Sequence, residues 1–168
     1  MSTLSRSRLF PFVLAAAVAG IAASPAAAVD DMRPPYDRPA DARPPAPTRA
    51  ERAVKVALDA VGTPYRWGGE SPATGFDCSG LVRWAYGRVG IELPHNSYAL
   101  YGEGRRVAAS RMEPGDVLFF EGLGHVGLYL GRGRMVHAPQ TGRDVEVIRL
   151  DGSNYGSRLI GARRVTPA

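Results

Sequence analysis

Four residues in this 168-residue chain carry the side-chain types that nucleophilic catalysis needs: Cys78, His95, His125 and His137. Cys78 is the only cysteine, so it cannot form an intramolecular disulfide. It lies in Gly75-Phe76-Asp77-Cys78-Ser79-Gly80-Leu81-Val82, which reads as a loop entering a helix with Asp77 as N-cap. Free backbone N–H groups and the positive end of the helix dipole stabilise an anion in a first turn. That setting predicts a thiol pKa lowered from about 8.5 into the range of roughly 3.5–7.5. A thiolate nucleophile also needs a base or ion-pair partner, and the three histidines are the candidates.

Strand alternation narrows them. His125 begins Val126-Gly127-Leu128-Tyr129-Leu130, so His125, Gly127 and Tyr129 share one face. In the next run Met135 and His137 share a face. A hairpin closed around Gly131-Arg132-Gly133, with Leu130 opposite Arg134, sets His137 opposite Gly127 and diagonal to His125. Diagonal neighbours lie about 7–8 Å apart, within reach for ring side chains. A one-residue slip would send the two rings to opposite faces. The arrangement would make Cys78 the nucleophile, His125 the base and His137 the group that fixes the base's tautomer. On the residues alone, His125 also reads as a surface turn histidine and His137 as a satisfied core histidine. The spacing of Cys78, His125 and His137 matches no common zinc pattern, so no metal and no cofactor is expected.

These residues need elements to hold them. Thr48-Arg49-Ala50-Glu51 is a capping box that starts a helix, with Ala53, Val54, Ala57, Leu58 and Val61 on one face and Gly62 at its end. A second helix runs from Cys78 to about Val89, with Leu81, Val82 and Ala85 as its buried stripe. A short third helix follows Asn96 or Ser97. The period then becomes two. Asp116–Phe120, His125–Leu130, Arg134–Ala138, Val145–Leu150 and Leu159–Val165 read as strands separated by Gly-rich turns. Helices first and strands after predict an α+β fold, with helices packed on a five- to six-stranded antiparallel sheet. Residues 49–168 suffice for one hydrophobic core.

Upstream, residues 1–28 read as a secretory signal peptide. Arg6 and Arg8 form a basic start, Leu9 to Ala23 is mostly apolar, and Ala26-Ala27-Ala28 fits the cleavage pattern. A membrane anchor is the competing reading; the apolar stretch is shorter than the roughly 20 residues of a span and holds Pro11, with Pro25 just beyond. Export to the periplasm, cell wall or medium is therefore expected, with cleavage near Ala28. Residues 29–48 hold six prolines and many charges and read as an extended linker, a candidate docking element for a wall or regulatory partner. The full chain carries 21 basic and 16 acidic residues, net +5. Removing Arg6 and Arg8 with the leader leaves 19 against 16, or +3. Basic runs with interleaved aromatics are absent, so nucleic acid is not an expected partner.

With these stretches together, the chain resembles the NlpC-type cell-wall cysteine peptidases, which are papain-like hydrolases. The matching runs are Tyr65-Arg66-Trp67-Gly68-Gly69, the cysteine run from Gly75 to Val82, Leu93-Pro94-His95-Asn96-Ser97, Pro114-Gly115-Asp116-Val117-Leu118-Phe119-Phe120, His125 to Gly131, and Met135-Val136-His137-Ala138. They occur in the family's order and cover most of residues 50–140. The resemblance implies hydrolysis of peptidoglycan stem peptides, usually between γ-linked D-glutamate and diaminopimelate or lysine. It implies Cys78 as nucleophile, His125 as base and His137 in the third polar position. It gives Tyr65 a place bordering the site as an oxyanion donor. Asp77 and Ser79 match positions that bind a stem-peptide amine in some members, and Asp116 matches a structural position beside a turn. Amidases, acyl transferases and a non-catalytic wall-binding module are the alternatives on the same fold. His95-Asn96 departs from the usual Arg followed by Thr or Ser, and His95 reads as an exposed loop histidine. Trp67 reads as core. Tyr129 either borders the cleft or packs.

Overall fold

The computed structural model describes residues 45–165; the signal-peptide reading and most of the linker lie outside them. Helix α1 spans Arg49–Asp59 and starts at the predicted capping box: Thr48 accepts from the Glu51 N–H, and the Glu51 side chain reaches back to the Thr48 N–H. Its buried face is narrower than the sequence indicates. Ala53 and Ala57 are buried, with Ala60 just beyond the helix, whereas Leu58 and Val61 are 39% and 47% exposed. Small alanines let α1 lie close to its neighbours, so the larger residues flanking that stripe turn outward.

A two-stranded ribbon follows, β1 (Glu70–Ser71) and β2 (Gly75–Phe76), leading into α2 (Cys78–Gly87). Leu81, Val82 and Ala85 of α2 are fully buried, as their spacing predicts, and Tyr86 joins them. The Tyr86 hydroxyl donates to the Gly115 carbonyl, which ties α2 to the turn before the sheet. The short α3 (Ser97–Leu100) is capped by Asn96 Oδ1, which accepts from the Tyr98 and Ala99 N–H groups.

The remaining strands are β3 (Arg105–Val107), β4 (Val117–Phe120), β5 (Val126–Gly131), β6 (Arg134–His137), β7 (Glu146–Arg149) and β8 (Leu159–Arg164). They form one six-stranded sheet in the order β3-β8-β4-β5-β6-β7, every pairing antiparallel. One further helical turn, α4 (Asn154–Ser157), precedes β8. The fold is thus the α+β class that the order of elements predicts.

The sheet is buried on both faces at its centre, because the residues of β4 alternate between two apolar clusters. Val117 and Phe119 join Val126, Leu128 and Val136 under α1 and α2. Leu118 and Phe120 join Tyr129, Met135, Leu150 and Ala162 on the opposite side. Tyr129 packs there, and its hydroxyl accepts from the Gly133 N–H at 3.1 Å. Trp67 is not core: it is 88% exposed. It sits in a turn between Tyr65 and Gly69, and no apolar side chain covers that turn. At the sheet's margin the buried Asp116 carboxylate accepts two parallel bonds from Arg164 of β8, at 2.7 and 2.8 Å, and one from the Glu113 N–H. Asp116 therefore locks the turn into β4 to the final strand.

Candidate active site

The helix start is built around Asp77. Its Oδ1 accepts from the Gly80 N–H at 2.7 Å and the Ser79 hydroxyl at 3.0 Å, and its Oδ2 accepts from the Gly68 N–H at 2.9 Å. His95 Nε2 meets both carboxylate oxygens, at 3.0 and 3.1 Å. His95 is therefore not an exposed loop histidine. It is half-buried against Gly80, where a Cβ would stand 2.9 Å from its Nε2, and its Nδ1 lies 3.4 Å from Glu70 Oε2. Glu70 in turn pairs with Arg83 of α2. Asp77 and Ser79 are both buried and already bonded within this network.

Cys78 follows the cap, half-buried, in contact with the first apolar cluster. The predicted N–H donors are present, for the Val126, Ser79 and Cys78 backbone groups all favour a thiolate. Burial outweighs them and pushes the Cys78 thiol up, with the Asp77 carboxylate adding to the rise. The lowered thiol pKa expected from the helix start is thus corrected: desolvation and the capping charge oppose the helix terminus and win. The Val126 N–H beside the thiol brings Cys78 to the start of β5, where His125 is the preceding residue.

The two histidines meet as the hairpin argument requires, by a slightly different route. The β5–β6 turn is made by Arg132 and Gly133, at φ 53° and 66°, the positive values that a tight two-residue hairpin turn demands. Gly131 rather than Leu130 then pairs with Arg134, and the register shifts between Tyr129 and Gly131. Past that bulge Tyr129 pairs with Met135 and Leu128 with Val136, which brings His137 across from Gly127. A Cβ on Gly127 would stand 3.3 Å from the His137 Cβ and 3.0 Å from Met135 Sδ, so a larger residue there would have to push these neighbours back. Across it, His125 Nε2 and His137 Nδ1 are 2.8 Å apart, with the rings nearly perpendicular at 84°.

Both imidazoles are held neutral. Burial brings His125 down to about 4, helped by Arg158. Burial also brings His137 down to about 3, followed by the neighbouring His125 and Arg143. A thiol with a raised pKa and a neutral imidazole suit a thiol and general-base arrangement rather than a preformed ion pair. Since His125 Nε2 is engaged by His137, Nδ1 is the nitrogen free to take a proton.

Tyr65 stands close to this pair. Its N–H donates to the Arg143 carbonyl at 2.8 Å, and its neighbour Arg66 donates to the Phe76 carbonyl at 2.8 Å, so the segment is stitched to the strand entering Cys78. Burial, then the charges of Cys78 and Asp77, push the Tyr65 phenol up, which keeps it a donor at neutral pH. Sequence reasoning missed Tyr155. It rides on α4, with its ring centroid 5.1 Å from His125 and 4.8 Å from His137, and it closes the histidine pair from the side. Ser153 caps that turn by accepting from the Gly156 N–H. The run Asp151-Gly152-Ser153-Asn154 reads as a plain turn, so only the Ser153 cap signalled a helix there. Among the described residues no three His, Cys, Asp or Glu side chains converge as metal ligands would.

The chain is similar to known proteins in sequence and in fold. The sequence is 52% identical over 101 residues to a probable endopeptidase of Mycobacterium tuberculosis, covering 60% of this chain and 26% of that protein. It is 38% identical over 129 residues to the murein DD-endopeptidase MepH of Escherichia coli, covering 70% of this chain and 48% of that protein. The chain therefore spans between a quarter and a half of the length of these relatives. The fold superposes on the peptidoglycan hydrolase RipB of Mycobacterium tuberculosis with a TM-score of 0.64 and 32% identity, over 71% of this chain and 66% of that one. The profile of the NlpC/P60 family matches residues 62–164, the span that holds the cap, the thiol, the hairpin and the closing tyrosine, and the chain belongs to that family.

Proposed function

We propose that this protein is an exported cysteine endopeptidase that hydrolyses peptidoglycan stem peptides, at the bond between γ-D-glutamate and diaminopimelate or lysine. The observation that carries the reading is the bonded His125–His137 pair at the start of β5, where the Val126 N–H lies beside the helix-start thiol. The endopeptidase and peptidoglycan-hydrolase names of its relatives supply the substrate class. The apolar leader at residues 9–23 and the alanines at 26–28 supply the export.

In this mechanism the Cys78 sulfur attacks the scissile carbonyl carbon while its proton passes to His125 Nδ1. The Cys78 N–H and the Tyr65 hydroxyl donate to the oxyanion. The His125 imidazolium then gives its proton to the leaving amine, and a thioester remains on Cys78. His125, neutral again, takes a proton from water as it attacks the thioester carbon; the C–S bond then breaks, the Cys78 thiolate regains the proton from His125, and the new carboxyl end is released. His137 holds the imidazole through its Nδ1.

The test is digestion of purified peptidoglycan and mass spectrometry of the muropeptides. New amine and carboxylate ends at the γ-D-glutamyl bond are expected from wild type and not from Cys78→Ala. Cleavage at D,D cross-links instead, the activity that the name of MepH states, would move the assignment of the bond. Mass gained on an acceptor would indicate acyl transfer. Equal cleavage by Cys78→Ala would remove the cysteine mechanism altogether.

A further inference from the structure

The nitrogen of His137 that faces away from His125 has no hydrogen-bond partner. His137 is fully buried, at 0% exposure, and its Nε2 is unpartnered. The charged group beside it is the Glu146 carboxylate. His137 of β6 pairs directly with Glu146 of β7, and Glu146 Oε1 stands 3.4 Å from His137 Nε2. Arg143 holds the other carboxylate oxygen. Glu146 is thereby fixed with one oxygen toward solvent-side arginine and the other toward the buried ring.

Two neutral imidazoles joined by one Nε2···Nδ1 contact share a single hydrogen in it. If His125 Nε2 carries that hydrogen, His125 Nδ1 is bare and serves as a base, and His137 carries its own hydrogen on Nε2. If His137 Nδ1 carries it, His125 has its hydrogen on Nδ1 and cannot accept from a thiol, and His137 Nε2 is bare. A carboxylate facing an N–H is attractive; a carboxylate facing a bare nitrogen lone pair is repulsive. We propose that Glu146 is a positioning residue that selects the first arrangement, and so presents His125 Nδ1 to Cys78 unprotonated. The inference rests on the reading of His125 as the base. The other groups around the pair do not discriminate. Tyr155 offers its ring to both imidazoles, Arg158 lies on the His125 side, and Arg143 is engaged with Glu146.

Glu146→Gln separates this role from a structural one. The amide keeps the size and the acceptor oxygen, but its NH2 can donate to a bare His137 Nε2 and so stabilises the unproductive tautomer. Two-bond 15N–1H spectra of the histidine-labelled protein read the tautomer without turnover. Wild type is expected to show His137 with hydrogen on Nε2. Glu146→Gln is expected to move it to Nδ1 and to lower kcat at least 10-fold, with KM little changed. Glu146 lies on the edge strand β7, so the variant folds, as circular dichroism will record. A His137 tautomer unchanged in Glu146→Gln, or a wild-type kcat in that variant, overturns the inference. Full activity in His125→Ala would instead overturn the assignment of the base and leave the tautomer result to stand alone.

Discussion

Asp77 serves two ends that a single pair of substitutions pulls apart. Its carboxylate caps α2 and also holds the 65–69 turn, accepting from Gly80, Ser79 and Gly68. Asp77→Ala removes the cap, which costs about 1 kcal/mol. It also strands the Gly68 donor, about 1 kcal/mol more. The total of about 2 kcal/mol corresponds to a drop in melting temperature of roughly 8 °C for a domain of this size. Asp77→Asn retains a capping oxygen and loses only part of this, about 1 kcal/mol. The charge effect has the opposite sense. The Asp77 carboxylate helps to push the Cys78 thiol up, so its removal lowers the thiol pKa and raises the thiolate fraction. Asp77→Asn is therefore expected to be less stable and yet quicker to react with iodoacetamide at pH 7. Thermal melts and a pH series of alkylation rates measure the two effects. A melting temperature for Asp77→Ala within about 3 °C of wild type, which is less than 1 kcal/mol, would refute the capping argument. Slower alkylation of Asp77→Asn would refute the electrostatic one.

Two further outcomes follow from the same kind of reasoning. The fold holds His125 near 4 and His137 near 3, against an unfolded value of 6.5, so below pH 6.5 the unfolded chain takes up protons that the folded one refuses. Their contribution is complete above pH 6.5 and is lost as pH falls through about 4, with His125 alone accounting for about 3 kcal/mol. Urea midpoints that stay flat between pH 7 and 4.5 would contradict this. Arg164→Ala strips Asp116 of its paired bonds while the carboxylate stays buried, and is expected to cost about 3–5 kcal/mol in denaturant unfolding. Arg164→Lys should recover little, because an ammonium cannot supply two parallel donors to both oxygens. Full recovery by lysine would mean that charge alone holds the turn.

Much of the site was legible because it depends on periodicity and local chemistry. The Asp77 cap is visible in the residues Asp-Cys-Ser-Gly, and the shared face of His125 and His137 follows from alternation plus the room that Gly127 leaves. The turn itself was misplaced by one residue, but the bulge next to Gly131 absorbs the difference before the histidines are reached. What the sequence could not convey depends on tertiary contacts. His95 carries no local sign that it will fold back onto Asp77. Tyr155 reaches the histidines only because α4 sits between two strands that are distant from Cys78 in the chain. Arg105-Arg106-Val107 has no strand pattern of its own and becomes β3 by pairing with β8. The thiol pKa was read from the helix start alone, and burial is not a property of a heptad of residues.

The position of β8 has a consequence for how the enzyme comes into being. The strand made last lies between β3 and β4, and it also brings Arg164 to the buried Asp116. Until it arrives, β3 has no partner, β4 has an open edge, and a carboxylate waits unpaired inside the sheet margin. Such non-local pairing is slow to form and leaves an exposed edge until it does. Cys78 and both histidines precede that strand in the chain, yet the sheet that carries the histidines is completed only with it. A chain interrupted before β8 thus carries Cys78, His125 and His137 on a sheet that lacks two of its pairings.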